Sequence, residues 1–296
     1  MKYIITKEQA GHQIKEFLKA IKMSASLIKQ LKKIPDGILV NGFHQNVLYI
    51  LKENDVLELN TADGKEDENE FLEPVDLPLE IIFEDDNMTV VNKPYNMPTH
   101  ESINNRGNTL ANALAYRYRH RPYVFRATNR LDKDTSGVVI TANNKYYSAI
   151  LSGKIKDGLV KKSYVAVVEG RLEGSGQIEA PIERVGESII KREVRSDGEY
   201  ALTEYKSLIA NDFISVVLVT PKTGRTHQIR VHMAHIGHPL AGDLLYGGGC
   251  NKISRQALHC LQMQVDGVGS FYAPLPPDIK ELIRREFGNE EFIPKA

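Results

Sequence analysis

The chain has 296 residues, 42% hydrophobic and 26% charged, with 38 basic residues against 38 acidic ones. That length suggests about two globular domains, and the composition excludes a disordered tail, a fibrous repeat and a disulfide-stapled miniprotein. No apolar run approaches the roughly 18 residues that cross a bilayer, and a net charge of zero gives no sign of a polyanion-binding protein.

The N-terminal stretch MKYIITKEQAGHQ has neither a long apolar region nor a small-residue cleavage site. Cys250 and Cys260 make no disulfide framework and no four-ligand zinc pattern. A reducing cytoplasm is the expected compartment. Residues 1–60 then carry nine lysines against six acidic residues, a net of +3. Ile14, Phe17, Leu18 and Ile21 recur at helical spacing. Ser24 and Ser26 read as helix-start residues, and Leu27, Ile28 and Leu31 as the buried stripe of a second helix. Lys22, Lys29, Lys32 and Lys33 fall around its exposed face. Ile38–Val40 is a strand running into a turn at Asn41-Gly42, and Asp55–Leu59 is a closing strand. The stretch SASLIKQLKKIPDGILVNG resembles the small RNA-binding domain shared with a ribosomal small-subunit protein. That likeness implies an α/β RNA-binding module at 1–60, with Lys29, Lys32 and Lys33 on RNA.

Residues 61–76 are a linker with seven acidic residues against one lysine. Such a stretch should be extended, and Pro74 and Pro78 close it. Its net of −6 conceals the basic charge on either side, since the rest of the chain is also +3.

Residues 77–296 read as one α+β domain. Strands are expected at Glu80–Phe83, Met88–Asn92, Val138–Thr141, Tyr164–Val168 and Ile214–Thr220. Helices are expected at Thr109–Tyr118, Lys145–Lys154, Thr226–Ile236 and Pro277–Phe287, the third stopped by Gly237. Ile279, Leu282, Ile283 and Phe287 would share one side of the last.

The chemistry concentrates in two runs. Arg130-Leu131-Asp132-Lys133-Asp134-Thr135-Ser136-Gly137 precedes the apolar Val138, Val139 and Ile140. It reads as an acid fixed at the lip of a strand, with Thr135, Ser136 and Gly137 forming the turn after it. No histidine sits at a spacing that makes Ser136 a nucleophile. The second run, Gly224-Arg225-Thr226-His227-Gln228-Ile229-Arg230, offers two arginines that could reach Asp132. A guanidinium keeps its charge, holds a carboxylate with two donors and opposes the effect of burial on it. Spacing alone does not rank Arg225 against Arg230.

Asp132-Lys133-Asp134-Thr135 also fits the start of haloacid-dehalogenase-type phosphatases. That motif needs an apolar strand leading into the acids, whereas here the lead-in is polar and the apolar run follows. His227, His232, His235 and His238 invite a zinc site, but their steps of five, three and three do not suit two ligands on one helix face.

TNRLDKDTSGVVIT resembles the catalytic-aspartate motif of the RluA-type pseudouridine synthases. GRTHQIRVHMAHIGHPLAGD resembles the second long signature of that family, VVNKPYNMPTH its Lys-Pro segment, and KKSYVAVVEG the segment that carries its tyrosine. The four stand in the family's order, with Asn129 where the family most often has His. The resemblance implies a mixed, largely antiparallel sheet in the catalytic domain. It implies Asp132 as nucleophile, Arg230 as its partner, and Tyr164 as the ring against the uracil. Arg130 would fill the stack when the target base is flipped out. Lys93, Arg225 and the cluster Arg117, Arg119, Arg121 and Arg126 are phosphate candidates. No metal or organic cofactor is required. The implied partner is structured RNA, with large-subunit ribosomal RNA ahead of transfer RNA. A non-enzymatic ribosome-assembly protein that kept this fold is the rival reading, and the presence of Asp132, Tyr164 and Arg230 together argues against it.

Overall fold

The computed structural model describes residues 1–21, 23, 25–61, 72–102, 105–186 and 190–294. Most of the acidic linker lies outside them, as do Lys22 and the expected helix start at Ser24.

The N-terminal elements are β1 (Lys2–Ile4), α1 (Ile14–Ala20), α2 (Ala25–Leu31), β2 (Ile38–Val40), β3 (Phe43–His44) and β4 (Val56–Leu59). The strands form an antiparallel sheet in the order β1-β4-β2-β3. Asn41 and Gly42 both have positive φ, 53° and 83°, as a two-residue hairpin turn between right-twisted strands requires. The buried Asp55 carboxylate fixes this turn by accepting from Asn41 Nδ2 and Lys52 N, each at 2.8 Å. Ile14, Phe17, Leu18, Leu27, Leu31, Leu57 and Leu59 make a core separate from the rest of the chain's, which Tyr146 enters from outside.

The larger sheet follows: β5 (Glu80–Glu84), β6 (Met88–Lys93), α3 (Leu110–Arg117), β7 (Ser136–Ala142), α4 (Lys145–Lys156) and β8 (Val160–Glu169). Next come β9 (Ser175–Glu179), β10 (Ile182–Arg184), β11 (Arg192–Val194), β12 (Leu202–Ala210), β13 (Ile214–Pro221) and α5 (Gln228–His235). The chain ends with β14 (Leu258–Val265), β15 (Gly269–Tyr272) and α6 (Pro277–Phe287). The strand order is β5-β6-β7-β14-β8-β13-β12-β9, with β15 paired to β14, while β10 and β11 form a hairpin of their own. Among the described strands only β7 and β14 run parallel; the sheet is otherwise antiparallel, as expected.

Alternation along β8 and β13 decides which residues face the site. Tyr164, Ala166, Val168, Val217 and Val219 join the core on one face, with Leu110, Leu114 and Met233. Val165, Val167, Ile214 and Val216 join the core on the other, with Ile279, Leu282 and Ile283 of α6. Successive side chains of a strand point to opposite faces, so a sheet covered on both sides needs apolar residues at every position. The run Val138-Val139-Ile140 is such a strand.

One expectation is corrected. Ser136 and Gly137 belong to β7 and not to the turn, which closes earlier with Thr135 N donating to Asp132 O at 3.1 Å. Gly137 has φ 116°, and a Cβ there would lie 2.2 Å from the carbonyl oxygen of Cys260 on β14. Glycine therefore lets the parallel neighbour approach.

Candidate active site

The loop before β7 is anchored at nearly every residue. Asn129 donates to the Val138 carbonyl at 3.1 Å and accepts from Ile140 N at 3.0 Å, so its amide clips the loop to the strand it precedes. Thr99 Oγ1 donates to Leu131 O at 2.9 Å and accepts from Leu131 N at 3.2 Å. Lys133 O accepts from Met97 N, and Asp134 O accepts from Arg255 Nη1 at 2.9 Å. Arg255 is itself held by both carboxylate oxygens of Asp278, at 2.7 and 2.9 Å. Gln256 Nε2 donates to Thr135 Oγ1 at 3.4 Å. Between these anchors, Arg130 and Asp132 line a cleft of about 760 Å³. Clefts of that size bury small organic ligands.

The opposite wall is the turn into α5. Gln228 organises it: its carbonyl oxygen accepts from Thr223 Oγ1 and Arg225 N, and its amide donates to Leu202 O and Thr203 Oγ1. Two residues on, Arg230 grips Asp243 with Nε at 2.6 Å and Nη2 at 2.9 Å. Its remaining Nη1 reaches Asp132 Oδ2 at 3.1 Å. Burial works against the Arg230 charge, but the two carboxylates outweigh it and its pKa rises. The permanent cation is thus aimed by one acid at another. Asp132 Oδ1 has no hydrogen-bond partner among the described residues.

Tyr164 is 7% exposed and also lines the cleft. Burial first, then the Cys260 thiol that its hydroxyl meets, push its pKa well up, so the phenol keeps its proton. Arg130 is exposed, without a hydrogen-bond or ion-pair partner among the described residues, at the same cleft. Arg225 is drawn aside by Glu199 and the Tyr200 carbonyl and does not contact Asp132. Lys29, Lys32 and Lys33 are exposed at the end of α2. Arg117, Arg119, Arg121 and Arg126 do not line the cleft; Arg117 is paired with Glu84, and Arg121 stacks on Tyr118.

Lys93 is not a phosphate contact. It is 0% exposed, and its ammonium donates to the carbonyls of Pro94 (2.9 Å), Met97 (2.7 Å) and Lys133 (3.3 Å). It ties the Lys-Pro segment to the Asp132 loop. Burial pulls its pKa down to about 7, against the pull of Asp132 and Asp134. Lys93→Met leaves the Pro94 and Met97 carbonyls unpaired and Lys133 O with Met97 N alone, and should cost about 2–4 kcal/mol in urea unfolding. Between roughly pH 7 and 10 the unfolded chain binds more protons than the native one at this lysine. The wild type should therefore gain stability over Lys93→Met as the pH rises through that window. A constant difference between pH 7 and 9 would refute the linkage.

The histidines do not converge. His232 pairs with Thr203 Oγ1 and Ala180 O, and His238 with Glu169 O. His227 meets Tyr246. Among the described residues no group of three possible ligands could hold a metal.

Sequence reasoning missed Asp243, Tyr246, Arg255 and His259. Asp243 closes the quoted GRTHQIRVHMAHIGHPLAGD run and was legible there as a second acid. The other three carried no local signal. His259 lies on β14 and pairs through Nδ1 with Ser136 Oγ at 2.9 Å, and through Nε2 with Ala273 O at 3.0 Å. A serine and a histidine do meet, but both are buried in the sheet and stitch β7 to β14.

An acid and a fixed cation thus meet at one cleft, with a buried phenol and an exposed arginine beside them. The family model described as RNA pseudouridylate synthase matches residues 87–235. YjbO, an uncharacterised RNA pseudouridine synthase of Bacillus subtilis, is 39% identical over 282 residues, 92% of this chain and 99% of that protein. The ribosomal large subunit pseudouridine synthase D of Xanthomonas campestris is 36% identical over 231 residues, 71% of this chain and 70% of that protein. The solved structure of human RNA pseudouridylate synthase domain containing 1 superposes with a TM-score of 0.57 at 28% identity, covering 69% of this chain and 87% of that one.

The chain belongs to the RluA-type family of RNA pseudouridine synthases. It is an isomerase that acts on RNA. No helix among the described residues is long and apolar enough to cross a membrane.

Proposed function

We propose that this chain converts specific uridines of large-subunit ribosomal RNA to pseudouridine, with Asp132 as nucleophile. The observation that carries this is the half-occupied carboxylate: Oδ2 is held by Arg230 and Oδ1 is open. Attack of Oδ1 on C1′ of the ribose breaks the bond to uracil N1 and leaves that ring anionic. The ring turns, and C5 closes on C1′ and expels the carboxylate. C5 then loses its proton and N1 gains one. Arg230 keeps the leaving carboxylate charged, and Tyr164 offers a flat face to the ring and a protonated phenol. Arg130 fills the stack that the flipped uridine vacates, at a cost of a few kcal/mol for the flip. The ribosomal substrate rests on the likeness to the large subunit synthase.

Pseudouridine mapping across total RNA, with and without the gene, tests the substrate. Loss at one or a few large-subunit positions is expected. Loss confined to transfer RNA would overturn the substrate, and loss nowhere the activity.

Residues 1–60 act as a separate RNA-binding unit on this reading, joined through 61–76 to a catalytic domain at 77–296. Replacing Lys29, Lys32 and Lys33 together by Ala should weaken RNA binding. It should also flatten the log–log salt dependence by about two, because each neutralised phosphate contributes roughly 0.7–0.9. An unchanged slope would remove these lysines from the interface.

A further inference from the structure

We propose that His227 is a positioning residue of the isomerisation, an imidazole N–H that Tyr246 holds toward Asp132. This deepens the reading of Asp132 as nucleophile and rests on it.

The backbone is the first observation. His227 has φ 56°, in the left-handed region, where the other described non-glycine residues are Asn41, Asn54 and Asn96. A side-chain-bearing residue is held there only when its surroundings over-determine it, and the four bonds of Gln228 next door do so. His227 stands at the N-cap of α5, yet its ring makes no capping bond to that helix. It turns into the cleft instead.

The ring contacts are the second. Nδ1 lies 2.8 Å from the Tyr246 hydroxyl, and the two rings meet edge to face at 5.7 Å. Nε2 lies 3.7 Å from Asp132 Oδ2, the oxygen already held by Arg230. Two arguments assign the ring proton. The Tyr246 oxygen already accepts from Arg192 N at 3.0 Å, so its own hydrogen goes to Nδ1. A carboxylate only accepts, so the nitrogen facing it carries hydrogen. Both place the proton on Nε2. Burial lowers the His227 pKa; Asp132 and Asp243 oppose that, while Arg230 and Arg192 add to it, and the ring is neutral at pH 7.

One guanidinium contact leaves a carboxylate free to turn about its Cβ–Cγ bond. A second donor, from a different direction, stops that rotation and keeps Oδ1 toward the substrate. Catalytic hydrogen bonds are commonly long before substrate binds and shorten in the complex. The 3.7 Å gap is of that kind.

The test uses the full chain and a short RNA carrying the mapped uridine. His227→Asn suits the left-handed backbone but is too short to reach Asp132. Its single-turnover rate at saturating enzyme should fall about 10- to 100-fold, as misplacement near 1 Å does. RNA affinity should stay within about threefold and thermal stability close to wild type, because the charge count on the RNA-facing surface is unchanged. Tyr246→Phe should slow the step less, and the double variant should be no slower than His227→Asn, because Tyr246 acts through the ring. Long-range proton–nitrogen spectra should show a single Nε2–H tautomer in wild type and a mixture in Tyr246→Phe. A wild-type rate in His227→Asn, affinity lost in step with rate, multiplicative effects in the double variant, or an Nδ1–H tautomer would each overturn the proposal. Asp132→Asn in the same assay separates the two ideas. If it is inactive while His227→Asn is fully active, only the histidine falls; if it turns over, both do. Should His227→Asn fail to fold, His227→Gly and the wild-type tautomer decide.

Discussion

Asp132→Asn is expected to lower turnover by roughly 10⁴-fold or more, the scale seen when a covalent nucleophile is lost. An amide keeps the shape but cannot attack C1′ or leave it. The fold should tolerate the change. Asp132 is part-exposed, with 28% of its side chain accessible, and Arg230 keeps both bonds to Asp243. The loop that carries Asp132 is anchored through Asn129, Leu131, Lys133, Asp134 and Thr135, none of which the substitution touches. Stability should move by no more than about 1 kcal/mol. RNA affinity should stay within a few-fold, because phosphate contacts supply most of it. Product formation at the wild-type rate would end the assignment of Asp132 as nucleophile.

Asp243→Ala should be the most damaging change outside the cleft. The Asp243 side chain is 1% exposed and that of Arg230 is 8% exposed. Removing one partner of such a pair strands a buried charge, at about 3–5 kcal/mol. Arg230 would then turn its freed donors onto Asp132, the next carboxylate within reach. A nucleophile held at both oxygens attacks poorly, so turnover should fall about 100-fold in the fraction that stays folded. Urea unfolding and single-turnover kinetics below the transition separate the two effects. Asp243→Asn keeps one acceptor and should fall between. Unchanged stability in Asp243→Ala would show that the pair contributes nothing to the fold.

Strands β6, β7, β8 and β13 were readable because each is an apolar run long enough to be buried on both faces. Strand β14 was not. Its sequence, LHCLQMQV, places a histidine and a cysteine in the buried middle of the sheet. Each polar group is compatible with burial only because of a neighbour: Ser136 and Ala273 for His259, and Tyr164 for Cys260. Strand β12 was missed for the opposite reason, since most of its residues are half-buried and alternate weakly. The first turn of α5 was over-read by two residues, because the left-handed His227 delays the helix to Gln228.

Arg130, Asp132 and the apolar strand behind them are contiguous, and so are Arg225, His227 and Arg230. Local order in the chain therefore put an acid and two candidate arginines in view, and the likeness of those runs to the RluA-type signatures gave the class of enzyme. Spacing could not choose between Arg225 and Arg230, and it made Lys93 look like a surface cation. The tertiary structure decided both. Glu199 takes Arg225 away, Asp243 turns Arg230 toward Asp132, and three carbonyls enclose Lys93. Those partners lie up to 40 residues away along the chain, as Lys133 does from Lys93. The direction of a charged side chain is set by the groups that satisfy it, and folding alone brings them within reach.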